Sequence, residues 1–170
     1  GVAEGTQIGL INIAKSSDTP IGLVSISGDG RFNVSVFATE LDPLNMDVRF
    51  GGRTGLYTLL GGGKQSEDQV YFAVGMGAHS RPKNVFVDFD LSLLSFHDSY
   101  GEPFGAASLV ARSRLQIGLH LFERLAPIAG ISYNVRMPTD GENLGLLPAY
   151  AERDGYVIRT WPGIYGGVQF

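Results

Sequence analysis

The sequence predicts an all-β fold: a closed antiparallel up-and-down barrel that crosses a membrane on about ten strands, with eight as the other count the pattern allows. Three observations lead there. Apolar and polar residues alternate over most of the chain, which is the period of a strand. The apolar sides of the later segments run unbroken for about five alternate residues, close to the nine to eleven positions a tilted strand needs to cross a bilayer. The polar sides interleave charge with glycine and other small residues, which suits a narrow interior better than a face open to water.

Composition sets the bounds. A chain of 170 residues is enough for one domain, read here as a single barrel over 1–170. It has no cysteine, hence no disulfide, thiolate ligand or thiol nucleophile. Its 13 basic and 17 acidic residues give a net charge of -4, which gives no reason to expect nucleic acid as a partner. Charged residues make up 18%, below the roughly 25% of a typical soluble domain. The 24 glycines follow no G-X-Y repeat, so collagen is excluded. A mean hydropathy of +0.07 fits a large apolar soluble core equally well, so composition alone does not decide. No run approaches the roughly 18 to 20 apolar residues of a spanning helix.

The elements follow in order. Ile8 to Ile13 is echoed by Ile21 to Ile26 across the turn cluster Lys15 to Pro20. The repeated unit is shorter than the common solenoid repeats, so the two copies are read as the first two barrel strands. Further strands are expected at Arg31 to Thr39, Leu44 to Phe50 and Arg53 to Leu60, separated by Ser27 to Gly30, Asp42-Pro43 and Gly51-Gly52. Gly61 to Asp68 reads as a polar loop. Longer strands are expected at Gln69 to His79, Asn84 to Phe96, Ser108 to Phe122, Ile128 to Met137 and Tyr156 to Phe170. Pro162 fits a bulge or an edge within the last of these. The best helix candidate, Leu121 to Ala126, is about two turns long and closed by Pro127.

The faces carry the argument further. Val85, Val87, Phe89, Leu91 and Leu93 share one side, with Phe86, Asp88, Asp90 and Ser92 on the other. Leu115, Ile117, Leu119 and Leu121 oppose Arg112, Arg114, Gln116, Gly118 and His120. Tight connections suggest registers that place Asp90 opposite Arg112, Asp88 opposite Arg114, Gln116 opposite Asn134 and Gly75 opposite Asp88. With ten strands, the turns on one rim are all short and most of those on the other are longer, as in a barrel whose two ends share a side.

The chain closes on Ile164, Gly166, Val168 and Phe170 along one face, with Phe last. This resembles the terminal strand of bacterial outer-membrane β-barrel proteins, in which the final Phe is part of the signal read by the insertion machinery. The glycine-rich repeats at Ile8 to Ile13 and Ile21 to Ile26 are similar to those of bacterial surface-repeat proteins. The resemblance implies an outer-membrane location in the cell envelope, lipid and other envelope proteins as partners, and a signal peptide already removed. The opening GVAEGTQIGL has neither the basic nor the apolar region of such a peptide.

Candidate chemistry is sparse. His79, His97 and His120 lack metal-ligand spacing, and no nucleophile-elbow or zinc motif is present. No metal and no cofactor is expected. Gly61-Gly62-Gly63-Lys64 lacks the pattern of a phosphate loop and reads as an exposed loop. The one catalytic candidate is His97 with Ser99, which share a side on an extended strand as a base and a nucleophile, with Glu102 or Glu123 as orienting acid. The pair resembles that of outer-membrane lipid A deacylases, although the asparagine expected after the serine is Tyr100 here. Asp47, Arg49, Asp88, Asp90, Arg112, Arg114, His120 and Arg136 form the expected lumen charge network, a salt-bridge set that fills a narrow barrel. Tyr57, Tyr71, Phe72, Phe86, Phe96, Tyr133, Tyr156, Trp161 and Tyr165 are candidates for an interfacial aromatic belt. The function ranked first is a structural or surface-interaction barrel. The alternatives are a small-solute channel, an acyl hydrolase using His97 and Ser99, and a soluble barrel or sandwich carrying a lipophilic ligand. Repetitive β-solenoids are the remaining architecture.

Overall fold

The computed structural model describes residues 2–9, 11–14, 16–21, 24–27, 31–40, 42–52, 54–64, 69–80, 84–98, 108–121, 125–137, 149–153 and 156–170. Its strands, in chain order, are β1 (Val2–Ile8), β2 (Ile11–Ala14), β3 (Ser16–Ile21), β4 (Val24–Ser27), β5 (Arg31–Thr39), β6 (Leu44–Gly51), β7 (Leu56–Lys64), β8 (Gln69–Ser80), β9 (Val85–Asp98), β10 (Ser108–Leu119), β11 (Ala126–Met137), β12 (Ala149–Arg153) and β13 (Tyr156–Gln169).

Eight of them, β5 to β11 and β13, form a closed antiparallel ring in chain order. β13 closes it by pairing with β11 along Ala126–Met137 and with β5 from Tyr165↔Thr39 to Gln169↔Ser35. The last residue completes the seam, since Phe170 and Val34 exchange both backbone hydrogen bonds at 2.8 and 3.1 Å. Following the register once round the ring climbs about ten residues, the stagger a tilted closed barrel requires.

The strand number is therefore the lower of the two expected. The two repeat copies do not join the ring. They split into β1 to β4, which pair parallel as β1–β3 and β2–β4. Ile8 stands beside Ile21 and Ile11 beside Val24, so the copies stack on one another thirteen residues apart. Seven residues separate β1 from β3 and nine separate β2 from β4, and β2 and β3 themselves form part of these two crossovers. Of these strands, β3 lies against β7 and β4 against β6.

Strand alternation sets the two faces. Outward residues include Phe72, Met76, Leu91, Leu93, Ile117, Ile131 and Ile164, all exposed. Inward residues include Asp88, Asp90, Arg114, Gln116 and Asn134, all buried. The wall is uneven. β5 to β7 have 9, 8 and 9 residues, whereas β8 to β11 and β13 have 12 to 14. On the short side β13 outruns β5, and β12 pairs with β13 over Tyr156–Thr160 instead. Pro162 lies in the gap between these two pairings, where its missing N–H costs no ladder bond to β5 or β12. Ile164 N in the same gap donates to Glu40 Oε2 at 3.0 Å.

Three local expectations are corrected. Gly61, Gly62 and Gly63 lie within β7, paired to β6 and β8. Gly61 packs against the Asp47 side chain and Gly63 against Tyr71, so glycine is needed there by close approach. The helix candidate is a strand connection in its described part: Leu121 N donates to Leu125 O at 3.3 Å and Ala126 opens β11. The expected registers each slide by an even number of residues. Arg114 pairs with Asp90 and Arg112 with Ser92, Arg112 pairs with Asn134 and Gln116 with Gly130, and His79 pairs with Asp88 and Gly75 with Ser92. Even slips keep every side chain on its face, so face patterning does not distinguish among them.

Candidate functional site: the ion-paired interior

The barrel interior is the most highly organised polar region of the described structure. Four arginines (Arg49, Arg112, Arg114, Arg159) and four aspartates (Asp42, Asp47, Asp88, Asp90) are buried, so among the described residues the buried charge balances. A charge taken out of water must be paired and hydrogen-bonded to be tolerated.

Two arginines form the centre. Arg49 on β6 donates from Nη1 to Asp88 Oδ2 at 2.6 Å and to Gln169 Oε1 at 3.1 Å, and from Nη2 to Gln116 Oε1 at 3.0 Å. Asp90 Oδ2 lies 3.8 Å from the same Nη2. Arg114 on β10 donates from Nε to Asp90 Oδ1 at 2.8 Å and from Nη2 to Asp47 Oδ2 at 2.6 Å. Gln116 Nε2 donates to Asp88 Oδ2 at 3.1 Å, and Tyr57 OH donates to Asp90 Oδ2 at 3.3 Å. Each guanidinium also sits over aromatic rings. Arg49 is 5.4 Å from the Tyr57 centroid, and Arg114 is 5.2 Å from Phe37 and 5.6 Å from Tyr165.

Layers lie on either side. Toward the end of the barrel that holds the β5–β6 connection, Arg112 donates from Nε to Asn134 Oδ1 at 2.8 Å, stands 3.5 Å from Asp42 Oδ2 and lies over Tyr71. Tyr71 OH donates to Asn45 Oδ1. Asp42, in the β5–β6 connection, accepts from Thr39 Oγ1 at 3.2 Å. Burial holds its pKa above the usual 3.8, and the opposing pull of Arg112 is smaller. Two apolar clusters are buried beside these charges: Phe37, Phe86, Ala126, Ile128 and Tyr165 form one, and Tyr71, Leu94 and Val110 the other. Aromatic rings lie over inward glycines, Phe86 on Gly118, Tyr165 on Gly130 and Tyr57 on Gly77, too close for a β-carbon. Small positions on one strand thus make room for rings from other strands within the bore.

Of the eight residues expected in the lumen network, Asp47, Arg49, Asp88, Asp90 and Arg114 are joined by these contacts, while Arg112 is buried in the adjoining layer and paired with Asp42. Arg136 is half-buried on β11. His120 stands exposed just beyond β10, with its ring 4.9 Å from Phe86. His79, not expected in the set, has Nδ1 in contact with Asp88 Oδ1. Also absent from that set were Asp42, Asn45, Asn134, Arg159 and Gln169, all buried. For Asn45, Asn134, Arg159 and Gln169 the signal is strand parity, since each continues the inward side of its own strand; Asp42, in the connection between β5 and β6, carries no such signal.

The aromatic belt candidates divide. Phe72 and Tyr133 are exposed outward. Tyr57, Tyr71, Phe86 and Tyr165 are buried inward, against glycines or arginines, and Phe96 and Trp161 pack against the Tyr71 cluster. The Tyr156 side chain lies outside the described residues. In the catalytic candidate, His97 Nε2 is 3.0 Å from Ser95 Oγ, while Ser99, Tyr100, Glu102 and Glu123 lie outside the described residues. Among the described residues no group of three or more His, Asp or Glu could hold a metal ion.

The outer wall carries an apolar belt on every barrel strand from β5 to β11 and on β13, from Phe32 and Met46 through Phe72, Leu91, Leu115 and Ile131 to Ile164. An open groove of about 590 Å³ crosses it over β8 to β11, lined mainly by Val74, Met76, Leu91, Leu93, Tyr133 and Val135. No protein-family model matches the chain, and no curated protein and no solved structure is detectably similar to it. The geometry alone defines the molecule: a closed eight-stranded antiparallel β-barrel, apolar outside and ion-paired within.

Proposed function

We propose that this chain is an outer-membrane barrel of the bacterial envelope that serves as a structural or surface-interaction platform and does not conduct solutes. One observation carries the reading, the inverted sense of its two faces. Soluble monomers rarely expose a contiguous apolar patch above a few hundred Å², yet here large apolar side chains are exposed on all eight barrel strands. The charged groups that would face water in a soluble barrel are inside and paired. Lipid is the solvent that suits such an exterior, and a closed antiparallel barrel of eight strands is the build of small outer-membrane proteins. The filled bore supports a non-conducting role, with contacts to other envelope proteins made at the rims.

Reconstitution into planar bilayers tests this. The protein is expected to enter the detergent phase, to migrate differently on gels before and after heating, and to leave the bilayer electrically silent. Discrete conductance steps, absent without protein, would establish the solute channel in its place.

A further inference from the structure

A single carboxylate interrupts the apolar belt at the seam between β5 and β13. Glu40 follows β5 directly and stands one step beyond the pair Tyr165↔Thr39, beside the outward Ile164. Its Oε2 accepts from Ile164 N at 3.0 Å. The carboxylate is seated over Gly163, where a β-carbon would collide with Glu40 Oε1 and with Ser132 Oγ. Glu40 is exposed, and among the described residues it forms no ion pair. Asp42, two residues on, has the same sign and is paired with Arg112. The carboxylate borders a groove of about 480 Å³ in the outer wall, lined by Phe89, Leu115, Ile131, Tyr133, Pro162 and Ile164. Among the described residues the one cation on this groove is Arg114, whose guanidinium is committed inside to Asp90 and Asp47.

We propose that Glu40 and this groove form a binding site for a lipophilic amine dissolved in the membrane, one cationic nitrogen on an apolar body. The site presupposes the lipid-facing belt of the proposed function. An ionisable group at a lipid-facing wall is costly, and it marks a site whose partner is a counter-charge. The Ile164 N–H occupies one lone pair of the carboxylate and leaves its charge unmatched. An ammonium supplies that charge together with donors for the other oxygen. The apolar lining takes the body of the ligand, and the volume lies within the roughly 300–1,000 Å³ of small-molecule sites. The charge pattern also selects against a zwitterionic headgroup. Its phosphate would need a cationic residue beside Glu40, and Arg114 is already engaged.

Equilibrium binding to the full chain in phosphatidylcholine nanodiscs tests this, with radiolabelled dodecylamine and dodecanol as probes and empty discs as background. Dodecylamine should bind saturably, one per barrel, and about tenfold or more tighter than dodecanol, the margin of a hydrogen bond to a charged group. Glu40→Gln keeps an acceptor for Ile164 N and removes the charge. It should retain heat-modifiable migration and bind the amine no better than the alcohol. Equal binding of amine and alcohol by the native chain, or amine binding that survives Glu40→Gln, would overturn the site and leave the membrane reading intact. A chain that does not enter the discs would overturn both. Loss of amine binding when phosphatidylethanolamine replaces phosphatidylcholine would assign the groove to a lipid headgroup and overturn the single-amine occupant.

Discussion

Arg49 and Asp88 illustrate what the interior demands of single residues. Both side chains are fully buried and their closest approach is 2.6 Å. Arg49→Ala leaves Asp88 and Asp90 without that cation, so it should cost about 3–5 kcal/mol in denaturant unfolding from micelles. Replacing the pair together by apolar residues of similar volume should cost much less, and an equal loss would show that the pair does not act as a unit. Gly118→Leu drives a side chain into the Phe86 ring and should cost about 1–3 kcal/mol by the same measurement. Asp42 carries a pH dependence of the opposite sense to a salt-bridged carboxylate. Its folded pKa lies above 3.8, so the folded state holds its proton more tightly than the unfolded chain. Its contribution to stability is present below that value and is lost as pH rises through the raised pKa. Asp42→Asn should remove this part of the slope, and identical pH profiles for the two proteins would contradict it.

At the scale of the element, alternation made the faces legible and left the pairings open. The inward set on β9 and β10 could be read directly, because Asp88, Asp90, Arg112 and Arg114 interrupt otherwise apolar runs with period two. Which aspartate meets which arginine could not, since a slip by two or four residues preserves every face. Connections decide that, and their geometry is only weakly written in residues 99–107 or 120–125. The inward tyrosines were legible by the same parity, but their aromatic character also suits an outer belt, and only packing onto glycines distinguishes the two. The repeat at Ile8 and Ile21 was visible as repetition, yet whether it paired parallel or antiparallel depended on where the chain turned. A crosslinking pair tests the observed register. Phe89→Cys with Leu115→Cys sits directly across β9–β10 and should oxidise to a disulfide. Val87→Cys with Leu115→Cys should remain reduced, and the reverse outcome would restore the slipped pairing.

At the scale of the whole molecule, the decisive property is which face meets lipid. The barrel places Leu91 outward and Leu94 inward on the same strand, at 52% and 1% exposure. Quenching by acyl-chain-brominated lipid reports the difference directly, in a Trp161→Phe background that removes the sole native tryptophan. With the protein reconstituted in vesicles, fluorescence of Leu91→Trp should be strongly quenched by brominated acyl chains and untouched by iodide. That of Leu94→Trp should respond little to either. If Leu91→Trp were instead quenched by iodide and indifferent to brominated lipid, the apolar belt would not face a membrane, and the central claim would be wrong.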